Sequence, residues 1–135
     1  MLSITEAFAA DMLSREIDRT VATASDVAAK IADEAVIRAT STWLEQKKSY
    51  KAWLGVNENW NAVERLAEAR NAVAHGLGSL TRRQLKNKEG VKAKLKDAGI
   101  TVNDNKIVLS AESLAKVAAT CREFIERLDR AVQDR

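Results

Sequence analysis

The chain has one histidine, His75, which closes the segment Arg70-Asn71-Ala72-Val73-Ala74-His75. Imidazole is the side chain best suited to moving protons near neutral pH. A guanidinium holds a phosphate in a bidentate grip and stabilises negative charge as it builds. An amide can orient the imidazole or a substrate hydroxyl. Together Arg70, Asn71 and His75 suit the cleavage of an RNA phosphodiester. At about 100° per residue, Val63, Leu66, Ala67, Val73, Ala74 and Leu77 share one arc of a helix, the face expected to pack. Arg70 falls in the middle of that arc, where a guanidinium is costly unless it is paired or faces a solvated cleft. Asn71 and His75, one turn apart, lie just outside the arc, with Glu64 and Glu68 on their side. Two structural alternatives stand beside this reading. Arg70 can pair with a carboxylate such as Asp33 or Glu34, and His75 can serve as a helix cap.

The elements that must carry these residues read as helices. Proline is absent and glycine occurs 5 times, which favours long helices over a turn-rich sheet. Helical spacing predicts a first helix over about 3–22 and a second over about 26–53, divided where Ser25 or Asp26 can cap. Gly55 to Asn59 forms a turn, with Asn57 or Asn59 as N-cap. The helix bearing the candidate residues then runs from about Trp60 to His75 and stops at Gly76. A short basic helix over about 81–97 starts at Ser79 or Thr81 and ends at Gly99, its continuity weakened by Gly90. Ile100-Thr101-Val102 and Lys106-Ile107-Val108-Leu109 flank Asn103-Asp104-Asn105 and predict a hairpin. Ser110 caps the last helix, whose Leu114, Val117, Ala118, Cys121, Phe124, Ile125 and Leu128 form an apolar stripe. That stripe places Cys121 in the core. The expected fold is all-α, a bundle of about four to five helices with a small β-hairpin insert before the last one.

Length and composition set the bounds. The 135 residues suit one domain, 1–135, large enough for a core without disulfides. A lone cysteine and a lone histidine cannot build a Cys/His zinc site, so neither metal nor cofactor is expected. One unpaired cysteine suits a reducing cytoplasm. The N-terminal residues do not read as a signal peptide, and no apolar run approaches the ~20 residues of a membrane span. The net charge is +3, and residues 82–106 carry the excess, with 8 basic side chains against 3 acidic ones. The Lys and Arg side chains between residues 82 and 96, with Arg82, Arg83, Lys86 and Lys88 foremost, are therefore the candidate contacts to RNA phosphates, although a merely solvated basic surface has the same composition.

The segment Arg70-Asn71-Ala72-Val73-Ala74-His75 resembles the Arg-x4-6-His motif of HEPN domains, in the form with a polar residue directly after the arginine. Gly76-Leu77-Gly78 is similar to the glycine that often follows the family's histidine. Two long helices before the motif, and a hairpin before a final amphipathic helix, agree with the family's pattern. The resemblance implies a metal-independent endoribonuclease of the toxin–antitoxin, abortive-infection or phage-defence kind. Such enzymes use the RNA 2′-hydroxyl as nucleophile and leave a 2′,3′-cyclic phosphate. By position it makes His75 the general acid or base, Arg70 the stabiliser of the transition state, and Asn71 the residue that positions one of them. It also implies a homodimer whose two motifs share one composite site, and a cognate antitoxin or other defence-system partner. Arg70 and His75 are about 140° apart on the helix, and a site shared across a twofold axis would let one subunit's arginine approach the other's histidine. A subgroup of the family has a modifiable tyrosine where this chain has Leu77, so control by that route is not expected. Some members are non-catalytic and act as nucleic-acid-binding modules or helical scaffolds, which is the alternative reading.

Overall fold

A computed structural model describes residues 1–135. The elements are α1 (Leu2–Val21), α2 (Asp26–Ala39), α3 (Trp43–Leu54), α4 (Asn61–Gly76), α5 (Arg82–Leu85), α6 (Lys88–Asp97), β1 (Thr101–Asn103), β2 (Lys106–Val108) and α7 (Ala111–Gln133). The protein is mostly helical, with the hairpin directly before the last helix, as the sequence pattern predicts. The helices number seven rather than four to five, because two of the expected helices are each divided.

The expected helix over 26–53 breaks at Thr40-Ser41-Thr42, where hydroxyls compete for the backbone. Thr40 Oγ1 donates to the Val36 carbonyl at 2.8 Å and Ser41 Oγ to that of Arg38 at 2.7 Å, which closes α2. Thr42 Oγ1 accepts from the Glu45 N–H at 3.2 Å and caps α3, a contact worth about 1 kcal/mol. The expected basic helix over 81–97 divides at Lys86–Asn87 rather than at Gly90. Thr81 and Gln84 form a reciprocal capping box that starts α5. Gly90 gives room for the Asn87 side chain, since a Cβ there would lie 2.6 Å from Asn87 Nδ2.

The chain forms two compact units. One comprises Met1–Leu2 and Asn59–Phe124, and so holds α4, α5, α6, the hairpin and the first part of α7. Val63, Leu66 and Ala72 of α4 are buried, as are Val91 and Leu95 of α6 and Cys121 of α7. Each larger side chain here contributes about 1.5–3 kcal/mol by leaving water. The Trp60 and Phe124 rings meet edge to face, with centroids 4.8 Å apart and planes at 66°. Cys121 is therefore a core residue, as its stripe predicts, while Leu114, in the first turn of α7, is exposed. β1 and β2 pair antiparallel, Val102 opposite Ile107. Their turn places Asp104 and Asn105 at φ 48° and 62°, the left-handed pair a tight hairpin requires.

The other unit comprises Ser3–Glu58 and Ile125–Arg135. Ala9, Leu13, Tyr50, Leu54 and Leu128 are buried in it. Tyr50 Oη donates to the Ala9 carbonyl at 2.6 Å and ties α3 to α1. Burial pushes the Tyr50 phenol well above its ordinary range. Glu16 is a buried carboxylate of α1 that pairs with Arg19 at 2.9 Å and with Arg135. Gln46 of α3 is fully buried, and neither atom of its amide has a hydrogen-bond partner. No helix is long and apolar enough to cross a membrane.

Candidate active site

Helix α4 positions the candidate residues, and its two ends fix where they fall. At its start Asn59 Oδ1 accepts from the Asn61 N–H at 2.9 Å. At its end the helix runs one residue further than expected. Gly76 is still helical, and the left-handed residue is Leu77, at φ 52° and ψ 39°. The Gly78 N–H then donates to the Ala72 carbonyl at 2.9 Å, closing the helix behind His75. The hairpin holds the residues beyond it: Ile107 N–H donates to Gly78 O at 2.8 Å and Leu80 N–H to Asn105 O at 2.7 Å. His75 thus sits on the last turn of a helix whose exit is pinned on two sides.

Glu68, Asn71 and His75 are spaced three and four residues apart, which aligns them along one side of α4. All three line an open cavity of about 660 Å³. Its other wall comes from α5, α6 and the turn between them, through Arg83, Gln84, Asn87 and Lys94. The wall is docked by a defined set of bonds. Gln84 Nε2 donates both to the Glu68 carbonyl at 2.8 Å and to Glu68 Oε2 at 3.0 Å. Lys94 Nζ stands 3.7 Å from Glu68 Oε1. Imidazole, amide and cationic side chains therefore surround a solvent-open space. That set can bind a phosphate and carry a proton to or from an oxygen beside it.

The candidate residues separate into groups. Asn71 and His75 share the cavity, and Arg83 faces it from the opposite wall. Arg70 is half-buried and is not on the cavity wall, in keeping with its angular distance from His75. Arg82 and Lys86 are exposed and Lys88 is half-buried, all three outside the cavity. Lys94 lies in the basic stretch between residues 82 and 96 that the sequence marks for contact with RNA, and with Arg83 it is the part of that stretch that reaches the cavity. No local signal distinguishes it, because only the docking of α6 on α4 brings it to the site.

The expected packing face of α4 holds only in part. Val63 and Leu66 are buried, but Val73 is 50% exposed, Leu77 is 95% exposed, and Ala74 is exposed as well. In the last turns the buried position is Ala72. It lies about 100° round from Val73, so Val73, Ala74 and Leu77 turn outward on the side where Arg70 sits. No three His, Cys, Asp or Glu side chains converge in a way that could hold a metal ion. No protein-family model, curated protein or solved structure matches the chain.

Proposed function

We propose that the protein is a metal-independent endoribonuclease of HEPN type, acting as a toxin or defence effector. The observation that carries this reading is the sharing of one open cavity by His75, Asn71, Arg83 and Lys94. In the proposed reaction the ribose 2′-hydroxyl attacks the adjacent phosphorus and gives up its proton. The bond from phosphorus to the 5′-oxygen breaks, and that oxygen takes a proton and leaves as a hydroxyl. The products end in a 2′,3′-cyclic phosphate and a 5′-hydroxyl. His75 transfers one of these protons, Asn71 orients the imidazole or the attacking hydroxyl, and a guanidinium stabilises the charge that builds on phosphorus.

In this reading Arg70 reaches the reacting phosphate across a homodimer. The support for it is the apolar side on which Arg70 lies, where Val73, Ala74 and Leu77 are exposed. A twofold contact through that side would cover them and bring two motifs together. A cognate antitoxin or another defence component would restrain such an enzyme.

The test is incubation of labelled RNA with the purified protein in EDTA, with mapping of the product ends. Cyclic phosphate ends, lost in His75→Ala with a rate drop of about 10²–10⁴, are the expected result. Arg70→Ala should lose at least as much. Cleavage retained in both variants would refute the assignment, and binding without cleavage would favour a non-catalytic RNA-binding module.

A further inference from the structure

We propose that Glu68 makes the cavity a guanine-reading subsite, so that the enzyme cuts RNA beside a guanosine. The inference rests on the ribonuclease reading and adds to it the identity of the neighbouring base.

Glu68 is the one acidic side chain on the cavity wall, and it stands seven residues before His75 on the same side of α4. Seven residues of helix span about 10 Å. A phosphate placed at His75 thus leaves space toward Glu68 for an attached nucleotide. The Glu68 side chain is 21% exposed, so it is sheltered yet reachable.

The carboxylate is held in place but not saturated. Oε2 accepts from Gln84 Nε2 at 3.0 Å, and Lys94 Nζ is 3.7 Å from Oε1. A carboxylate offers about four acceptor positions and no donor. Each oxygen therefore keeps at least one acceptor position beyond these contacts, and a single base that engages both oxygens must present two adjacent N–H groups.

Among the four RNA bases only guanine does this on its Watson–Crick edge, through N1–H and the 2-amino group. Adenine and cytosine set a ring acceptor beside their amino group, which would face the second carboxylate oxygen. Uracil sets carbonyl oxygens on both sides of its one N–H. Single-stranded RNA exposes these edges, which makes them the natural object of recognition. Arg83 and Lys94 supply the positive charge that offsets a carboxylate so close to the RNA backbone.

A brace that merely docks α5 and α6 on α4 would use the same bonds, so the test must separate the two roles. The first arm measures binding of guanosine, adenosine, cytidine and uridine 3′-monophosphates to the intact protein by calorimetry or by chemical shifts. Guanosine 3′-monophosphate should bind about tenfold to a hundredfold more tightly than the others. The second arm repeats this with Glu68→Gln, which keeps an acceptor for Gln84 but replaces the other oxygen with a donor. The guanine preference should vanish, while the other three nucleotides bind at least as tightly as to the wild type, because a negative charge leaves the cavity, and the melting temperature stays close to wild type.

Equal binding of the four nucleotides by the wild-type protein would overturn the proposal, whatever the variant does. So would a variant that keeps the preference, or one that weakens all four nucleotides alike. A guanine preference in a protein that cleaves no RNA would sink the ribonuclease reading and leave the base reading standing. Cleavage with no preference for guanosine beside the cut would do the reverse.

Discussion

Replacing Leu77 with glycine should act on the protomer and on its self-association in opposite directions. Leu77 holds φ 52° and ψ 39° at the end of α4, a conformation that costs a residue with a Cβ about 1–2 kcal/mol. Glycine adopts it freely but loses about 0.5–1 kcal/mol more backbone entropy on folding. Because the side chain is 95% exposed, the protomer loses almost no apolar burial with it. The variant protomer should therefore be more stable by up to about 1.5 kcal/mol. In the proposed dimer the same leucine is covered in both copies, at about 1.5–3 kcal/mol each. Only part of that area converts into affinity, which still leaves a loss of at least about tenfold in the dimer constant. Urea denaturation of dilute protein reads the first effect and sedimentation equilibrium reads the second. A lower urea midpoint for the variant would refute the strain argument. An unchanged dimer constant would remove Leu77 from the interface.

Gln46→Leu should raise stability by about 1–3 kcal/mol, because a fully buried amide without partners is exchanged for an apolar side chain; a lower denaturation midpoint would contradict this. Tyr50, the only tyrosine, has its folded-state pKa raised by burial. Its contribution is intact below about pH 10 and falls above it by up to about 1.4 kcal/mol per pH unit, as the unfolded chain ionises and the folded one does not. Stability of the wild type should thus drop faster between about pH 10 and 11 than that of Tyr50→Phe, and parallel curves would count against it. Joint charge reversal at Arg82 and Arg83 should lower the salt dependence of single-stranded RNA binding by about 0.7 in slope for each phosphate no longer neutralised. An unchanged slope would assign both to plain surface.

Much of the fold can be read from local pattern. The capping of α7 by Ser110, the hairpin around Asp104-Asn105 and the extent of α4 each depend on residues within a few positions of one another. The break between α2 and α3 escapes a search for helix breakers because Thr40-Ser41-Thr42 contains neither glycine nor proline. It acts through hydroxyl bonds to the turn before it and through the Thr42 cap on Glu45 N–H. The spacing of Thr42 and Glu45 is that of a capping signature, so the signal is present in the sequence. Gly90 reads as a breaker, although it accommodates the Asn87 side chain. At the site, Asn71, His75 and Glu68 can be placed on one side of α4 from their spacing alone. Arg83 and Lys94 cannot be joined to them, because Gln84 meeting Glu68 is a contact across 16 residues that periodicity does not encode. The outward turn of Val73 and Leu77 is hidden for the same reason: burial is set by what packs against a helix, not by the helix.

The division of the chain into units bears on the order in which the protein is built. The unit that carries His75 draws nearly all its residues from the continuous stretch Asn59–Phe124, whereas the other joins Ser3–Glu58 to Ile125–Arg135. On a ribosome making about 5–20 residues per second, α1, α2 and α3 wait roughly 3–13 s before that final segment exists. Until then Glu16 lacks Arg135, and the buried Leu128 and Val132 of the same unit have yet to be made. The stretch 59–124 waits for no such distant closure and can collapse as soon as it clears the exit tunnel. The cavity beside His75 is thus lined from within one continuous stretch, whereas the unit of the amino-terminal helices is completed only by residues 125–135.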